Sequence, residues 1–399
     1  MNKLKLLELF GGIGACSKAL ERLGIDYEIV DYVDNDKFAV RSFNAIHDTY
    51  FEVQDITQWD KQIDVDLIMH GSPCQDFSLS GKQAGGDEGS GTRSSLMYET
   101  IRIVKKLKPK YVIWENVKNI ISKKHVHNFN NYINRMSELG YKSFYKVLNA
   151  KDYGIPQNRE RVFTVSILDE SDYEFPKPMP LKLKLKDMLE DEVDEKYFLS
   201  DAMMNCFMSD GTGNYPRKER FLQNINRKNQ DIGNTITSRA GDRPTDNFIK
   251  VKNATKKGYD EATNGDSVNL SYPNSKTRRG RVGKQVSQTL QCNDAMGVVE
   301  KGRYSEESLK RIKQNIIKND IANTLTANAM QSFNHNNCAL INNDLRIRKL
   351  TPKECWHLMG FDDEDFEKAS QVCSNTQLYK QAGNSIVVNV LEAIFRNLF

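Results

Sequence analysis

A cysteine, a glutamate and two arginines stand where reactive side chains are expected. Cys74 lies in a polar loop after one apolar run, and Glu115 directly follows another. Arg159 and Arg161 are two residues apart on an extended segment, so both guanidinium groups could face one site. A thiol nucleophile beside a carboxyl acid is the minimum needed for covalent addition to a polarised ring. The pattern therefore favours covalent catalysis.

Each of these residues also has an ordinary structural interpretation. An isolated cysteine is more often an unreactive small residue in a core than a nucleophile. Arg159 and Arg161 flank Glu160, so an ion pair at the surface is an equally good explanation for them. Only their occurrence together with Cys74 and Glu115 favours the catalytic interpretation.

A second group of residues suits a nucleotide-like ligand. Residues 11–14 contain three glycines, which would let the backbone approach a ligand at a helix N-terminus. Asp34 ends the next predicted strand and could accept hydrogen bonds from a ribose, and Asp55 could accept from an adenine amino group. For either acid taken alone, the helix N-cap is the favoured interpretation. Ser17 stands at the third glycine position of the dinucleotide fingerprint, which disfavours an NAD-linked dehydrogenase.

The elements that position these residues alternate between strand and helix patterns over about the first 170 residues. That alternation is typical of a doubly wound α/β domain with a mostly parallel sheet, in which ligands bind beyond the carboxyl ends of the strands. The predicted strands are 4–10, 27–33, a short one at 51–53, 65–70, 111–114, and a hairpin-type pair at 143–148 and 161–165. The predicted helices include 16–23 and 96–107.

The sequence changes character after about residue 171. Three prolines at 176, 178 and 180 indicate a linker, and an acidic helical stretch is predicted at 187–196. Residues 200–340 are rich in Asn, Thr and Gly, which predicts a second, smaller, irregular β-rich domain. A threonine-centred phrase recurs there at unequal intervals, at 234–237, 288–291 and 323–326. Helical patterning returns at 351–359 and 385–399. The sequence therefore predicts two domains: the first comprises 1–195 together with 378–399, and the second comprises 196–377.

Composition narrows the class of protein. The chain has 399 residues, 39% hydrophobic and 28% charged, which excludes wholesale disorder and collagen and predicts two or three domains. Its seven cysteines are scattered without a Cys-x-x-Cys pair, so neither a disulfide framework nor a metal site is expected. Neither a membrane span nor a secretory signal is apparent. We therefore expect a soluble, cytoplasmic monomer.

One charge cluster stands out against a net charge of only +4. Its members have no acidic residue between them: Lys276, Arg278, Arg279, Arg281 and Lys284. On charge alone, a solvated basic loop is favoured over a surface that contacts phosphates.

Five short motifs, in this order and with these separations, resemble those of the DNA (cytosine-5)-methyltransferases of bacterial and phage restriction-modification systems. They are Phe10 to Gly14, Pro73 to Gln75, Glu115 to Val117, Gln157 to Arg161, and Gln381 to Ser385. The resemblance covers essentially the whole chain, and residues 200–340 match the variable target-recognition region of the family in position and size. Asn35 is a departure, because relatives often carry a large side chain there against the adenine ring.

The resemblance implies S-adenosylmethionine as cofactor and double-stranded DNA as partner. A cognate restriction endonuclease acting on the same site, without a stable complex, is a compatible further partner. By similarity, the cofactor pocket would comprise Phe10, Gly12, Ile13, Gly14, Asp34, Asn35, Asp55, Ile56, Pro73, Leu96, Asn384 and Ile386.

The resemblance also assigns catalytic roles. Cys74 would add to C6 of a cytosine rotated out of the duplex, and Glu115 would bond to N3 and the exocyclic amine. Arg161 would hold O2 and position Glu115, while Arg159 would assist the thiolate. Gln75, Ser78 and Lys82 are candidates to fill the gap left by the base, and the basic cluster at 276–284 becomes a candidate for DNA backbone contact.

Two alternatives share much of this pattern. A tRNA cytosine methyltransferase of the same fold would need the same chemistry, although the long recognition region disfavours it. A DNA-binding regulator could keep the cofactor pocket for structural reasons alone, although the presence of all four catalytic candidates disfavours that.

Overall fold

The computed structural model describes residues 3–73, 77, 86–169, 171–199, 203, 249–301 and 345–399. The chain divides into two compact units. The first comprises Met1–Met188, Thr289–Asp294 and Pro352–Phe399, and the second comprises Leu189–Gln288 and Ala295–Thr351. Residues 352–377, which the sequence-based boundaries assign to the second domain, pack within the first unit.

A six-stranded sheet forms the centre of the first unit, in the order β2-β1-β3-β4-β7-β5. Neighbouring strands from β2 to β4 are parallel, whereas β7 runs antiparallel between β4 and β5. This confirms a doubly wound, mostly parallel sheet that ends in the predicted hairpin-type pair. The strands of this unit are β1 (Leu4–Leu9), β2 (Tyr27–Val33), β3 (Leu67–His70), β4 (Tyr111–Val117), β5 (Lys142–Asn149), β6 (Gln157–Asn158) and β7 (Glu160–Ile167).

Helices connect and cover these strands. They are α1 (Ala15–Arg22), α2 (Lys37–His47), α3 (Met97–Leu107), α4 (Val126–Glu138), α5 (Pro352–His357), α6 (Asp363–Ser370), α7 (Asn375–Asn384) and α8 (Val388–Arg396). Local chemistry sets their ends: the Asp36 side chain caps α2, and α3 stops at Lys108, which adopts a left-handed conformation before Pro109. Lys18 of α1 forms ion pairs with Asp362 and Asp365 at the start of α6, at 3.0 and 2.9 Å.

The core lies along both faces of the sheet. All four residues of β3 and the last four of β1 are buried, as expected for parallel strands covered by helices on each side. Trp114 of β4 is 1% exposed and packs against Phe129 and Tyr132 of α4.

Two predicted elements are wrong. Residues 51–53 form no strand, because the Asn44 side chain both donates to the Phe51 carbonyl, at 2.8 Å, and accepts from its N–H, at 2.9 Å. Residues 187–196 form no α-helix either. Asp187 and Asp194 instead accept backbone hydrogen bonds that stabilise short 3-10 turns at Leu185–Met188 and Glu195–Tyr197. Aspartate favours such local caps over the interior of a helix.

The second unit is β-rich in its described part, as predicted. A four-stranded antiparallel sheet has the order β11-β10-β13-β14, and β8 and β9 form a separate hairpin. Its apolar core includes Val251, Val268, Val299 and Ile347, each 0% exposed. The strands are β8 (Ile249–Lys252), β9 (Tyr259–Ala262), β10 (Ser267–Asn269), β11 (Val282–Gly283), β12 (Ser287–Gln288), β13 (Met296–Lys301) and β14 (Leu345–Lys349). The phrases at 234–237 and 323–326 lie outside the described residues.

No helix in the described part of the chain combines the length and the apolar character needed to span a membrane.

Candidate active site

The glycine turn after β1 is closely packed at Gly14, next to α1, and has open space at Gly12. Phe10, Gly12 and Gly14 all have positive φ, at 53°, 58° and 80°. A Cβ at Gly14 would collide with the side chains of His47 and Phe43, whereas a Cβ at Gly12 would meet nothing within 4 Å. The turn therefore requires glycine at Gly14 and leaves room for a ligand at Gly12.

Asp34, at the end of β2, is tied to this turn. One of its carboxylate oxygens accepts from the Gly12 N–H at 3.0 Å, and the other accepts from the Asp36 N–H at 2.8 Å. Burial raises the pKa of Asp34, and these two backbone hydrogen bonds oppose that rise. Because a carboxylate has about four acceptor positions, Asp34 can still accept from a ribose.

The other predicted adenine-side residues occupy different environments. Asp55 is exposed, and its Oδ1 accepts from the N–H and the hydroxyl of Thr57, both at 2.9 Å, so it caps a turn. Ile56 is 5% exposed in the hydrophobic core, and Asn35 is exposed. Ile13 is 1% exposed, and Leu96 packs against the core from the 3-10 turn before α3.

Ser17, at the position where the dinucleotide fingerprint has glycine, serves a different purpose here. It lies in α1, and both its N–H and its hydroxyl donate to the carboxylate of Glu8, which is buried in β1. The serine thus stabilises a buried acid directly beneath the glycine turn.

Glu8 should make stability depend on pH. Burial raises the pKa of Glu8 from 4.5 to about 7. The folded state therefore binds this proton more tightly than the unfolded state, so stability present at low pH is lost as pH rises from about 4.5 through about 7, by roughly 3 kcal/mol in total. We expect Glu8→Gln to remove most of this loss in urea denaturation at pH 5 and pH 8. The exposed Glu28→Gln is the matched control, and an unchanged pH dependence in Glu8→Gln would contradict the assignment.

The end of β3 meets the end of β4 and the segment before α8. A Cβ built on Gly71 would lie 3.9 Å from Glu115 Oε2 and 3.8 Å from Ile386 Cδ1. Pro73 is half-buried at the start of the following loop. Its successor Cys74 lies outside the described residues, as do Gln75, Ser78 and Lys82.

The described residues that flank Cys74 in the chain are both anchored. Before it, the Trp114 indole N–H donates to Ser72 Oγ at 2.9 Å, and both residues are buried. After it, the Asn119 side-chain amide donates to the Phe77 carbonyl at 2.6 Å, and the Phe77 ring is 0% exposed. Ser72 and Phe77, described residues on either side of Cys74, are thus both tied to the segment 114–119.

Glu115 is the centre of the site's electrostatics. Its Oε1 lies 3.0 Å from Arg161 Nε, and both side chains are largely buried, at 12% and 17% exposure. Burial raises the pKa of Glu115, and the charges of Arg161 and then Arg159 oppose the rise. Glu160 forms its ion pair with Lys118, at 3.0 Å. The sequence suggests a surface ion pair between Glu160 and the two arginines, but a lysine is the partner instead.

The guanidinium of Arg159 bonds to backbone. It is 3% exposed, and its Nη2 donates to the carbonyls of Gly383 and Ser385 at 3.0 and 2.8 Å. Between these two residues lies Asn384, whose Oδ1 accepts from the Cys292 thiol at 2.8 Å. Arg159 thus holds the segment that carries the predicted cofactor residues Asn384 and Ile386.

The basic cluster of the second unit does not form one surface. Lys276 and Arg279 are exposed, and Arg278 is half-buried. Lys284 forms an ion pair with Asp266 at 2.8 Å. Arg281 is 1% exposed and donates to the backbone carbonyls of residues 269, 271 and 272, so this predicted DNA contact is instead an internal brace.

Ser72 and Trp114 are site residues that sequence reasoning missed, although both adjoin a predicted motif. Removing the hydroxyl in Ser72→Ala leaves the buried Trp114 N–H without its acceptor and loosens the loop. We expect kcat to fall about 10- to 100-fold with little change in cofactor affinity. A kcat and KM comparison against Trp114→Phe and the double variant tests this. Independent, additive losses in the two single variants would contradict coupling through this hydrogen bond.

The sheet order is that of a methyltransferase, and the residues at its carboxyl edge fit this class: a glycine turn, an acid on the neighbouring strand and a buried Glu–Arg pair. Comparisons with known proteins agree. The profile of the C-5 cytosine-specific DNA methylase family matches residues 4–399. The chain is 32% identical to the orphan methyltransferase M.SPRI of Bacillus phage SPR, over 100% of this chain and 98% of the relative.

Two further similarities support the assignment. The chain is 30% identical to the type II methyltransferase M.HhaI of Haemophilus parahaemolyticus, over 99% of this chain and 94% of that protein. A mutant of DNMT2 from Spodoptera frugiperda shares the fold, with a TM-score of 0.58, 19% identity and full coverage of both chains. The chain belongs to the C-5 cytosine-specific DNA methylase family, and it is a DNA (cytosine-5)-methyltransferase that uses S-adenosylmethionine.

Proposed function

We propose that this enzyme methylates a cytosine that has been rotated out of duplex DNA, through a covalent bond between Cys74 and C6. The observation that carries the proposal is the buried Glu115–Arg161 pair at the end of β4, beside the end of β3. The chain reaches Cys74 four residues after β3 ends. A carboxyl group and a thiol would therefore share one small cavity.

The residues around the glycine turn fit S-adenosylmethionine. Gly12 faces open space at positive φ, and Asp34 reaches the same turn with acceptor positions to spare. Phe10, Gly14, Pro73 and the segment that Arg159 holds at residues 384–386 would complete the pocket. When bound, the cofactor supplies an electrophilic methyl group on a positively charged sulfur.

Cytosine C5 is a weak nucleophile, which is why a covalent step is needed. The Cys74 thiolate would form a bond to C6, and the electrons of the C5–C6 double bond would make C5 nucleophilic. After C5 takes the methyl group, it loses its proton to a base, the double bond re-forms, and the bond between Cys74 and C6 breaks. The thiolate is thereby regenerated, and no oxidant or reductant is required.

Glu115 would stabilise the charge that builds on the ring. Its carboxyl would bond to N3 and the exocyclic amine, and a protonated carboxyl can donate to N3. Burial raises the pKa of Glu115, which makes that protonated form more accessible near neutral pH. Arg161 would keep Glu115 oriented and contact O2 of the base.

Extrusion of the base costs a few kcal/mol, which protein contacts must offset. We propose Gln75, Ser78 and Lys82 for the vacated gap, and the second unit as the target-recognition domain. The exposed Lys276 and Arg279 would contact phosphates there. Duplex DNA is the proposed partner of a monomeric enzyme, and a restriction endonuclease of the same specificity would act without binding it stably.

Transfer of tritium from labelled S-adenosylmethionine to cytosine in duplex DNA tests the activity. Duplex DNA containing 5-fluorocytosine should trap a complex that survives denaturation, because fluorine at C5 cannot leave as a cation. Competition between duplex DNA and tRNA separates the DNA enzyme from a tRNA enzyme of the same fold. Methyl transfer without any trapped complex would contradict the covalent route.

A further inference from the structure

A loop of the second unit displays an exposed aromatic ring on a strained backbone. Tyr272 is 75% exposed, and its φ is 48°, in the left-handed region that disfavours a bulky side chain. Pro273 follows it and further restricts its backbone. Such strain persists only where the surrounding structure enforces it, and it is concentrated at functional positions.

Arg281 enforces this conformation from inside the unit. Its Nη1 donates to the carbonyls of Asn269 and Ser271 at 3.0 and 2.9 Å, and its Nη2 donates to the carbonyl of Tyr272 at 2.6 Å. The Ser275 N–H donates to that same Tyr272 carbonyl at 3.0 Å. A buried guanidinium therefore braces three backbone carbonyls within residues 269–272, while the tyrosine ring is exposed.

The chain segment that carries the ring is basic in sequence. Lys276 and Arg279 are exposed a few residues away, and residues 267–293 contain no aspartate or glutamate. A rigid aromatic ring flanked by exposed cations suits duplex DNA, whose phosphates attract the cations while the sugars and base edges in its grooves offer contact to the ring. A bare basic loop would attract phosphates without needing either the ring or the brace.

We propose that Tyr272 is an aromatic anchor that packs against a base of the bound DNA, while Lys276 and Arg279 contact the adjacent phosphates. This inference rests on the proposed function of the second unit. It gives the predicted basic cluster two distinct roles, because Arg281 braces the loop and its exposed neighbours bind DNA.

Binding measurements test the anchor separately from catalysis. The probe is a fluorescent duplex carrying a methylation site, found by bisulfite sequencing of DNA from cells that express the protein. We expect Tyr272→Ala to weaken binding about tenfold at every salt concentration, because an uncharged contact is lost, and to leave the salt dependence unchanged. Lys276→Gln and Arg279→Gln should each make the slope of log affinity against log salt less steep by about one. The exposed Tyr50→Ala in the first unit is the matched control.

Stability separates an anchor from a purely structural tyrosine. Tyr272→Gly suits the positive φ, so it should keep or raise the melting temperature while weakening DNA binding. Wild-type affinity in Tyr272→Ala would overturn the inference even if the wild-type enzyme methylates the duplex. A wild-type dimer that dissociates in Tyr272→Ala would identify a second copy of the chain as the partner and would also overturn it. Failure of the wild-type enzyme to methylate DNA would count against the proposed function instead.

Discussion

We expect Glu115→Gln to lower kcat by roughly 10²- to 10⁴-fold and to leave cofactor affinity nearly unchanged. Glutamine keeps the size of the side chain and can still accept from Arg161, but it can neither give nor take a proton. The effect should therefore fall on the chemical step. Single-turnover methyl transfer with labelled cofactor, together with equilibrium binding of the cofactor, measures both quantities.

The pH profile adds a second readout for Glu115. Burial raises the pKa of this carboxyl, so if its protonated form acts, wild-type activity declines as pH rises through that raised pKa. Glu115→Gln should lose this decline, because glutamine does not titrate. Glu160→Gln, on the neighbouring strand and paired with Lys118, is the control and should keep both rate and profile. A small rate loss in Glu115→Gln, with the wild-type pH profile retained, would rule out its proposed role.

Cys74→Ala should lower the rate of methyl transfer by roughly 10⁴-fold or more, because the covalent step has no other nucleophile in the proposed mechanism. The same change should eliminate the trapped complex with 5-fluorocytosine DNA while leaving duplex binding intact. Cys373→Ala, which removes a half-buried thiol packed near Ser42 and Gln381, is the matched control. A trapped complex in Cys74→Ala would show that another residue attacks C6.

The strands and the glycine turn were predictable because their causes are local. Runs of apolar residues produced β1 to β4 almost at their predicted bounds, and the glycines at 12 and 14 mark positive φ angles that few other residues tolerate. The failures at 51–53 and 187–196 also have local causes, but these are side-chain hydrogen bonds from Asn44, Asp187 and Asp194. The sequence patterns of strands and helices do not predict such hydrogen bonds.

The arginines show why the site was only partly predictable. Arg159 and Arg161 look equivalent in sequence, yet Arg161 pairs with Glu115 while Arg159 binds the carbonyls of residues 383 and 385, more than 200 positions away. Arg281 looks like its neighbours in sequence, the half-buried Arg278 and the exposed Arg279, but it is buried. A guanidinium donates to a carboxylate, a phosphate or a backbone carbonyl alike, so residue type alone does not distinguish these roles.

The sequence by itself determined most of the order of strands and helices in the first unit, the family, and the types of side chain available for the chemistry, because these depend on local patterning and on motif spacing. Only the tertiary structure decided which of those side chains meet. Glu115 acquires its raised pKa from burial at the end of β4, and Ser72 and Phe77 are held by Trp114 and Asn119. Both effects arise from packing between segments that are distant in the chain, which no local pattern encodes.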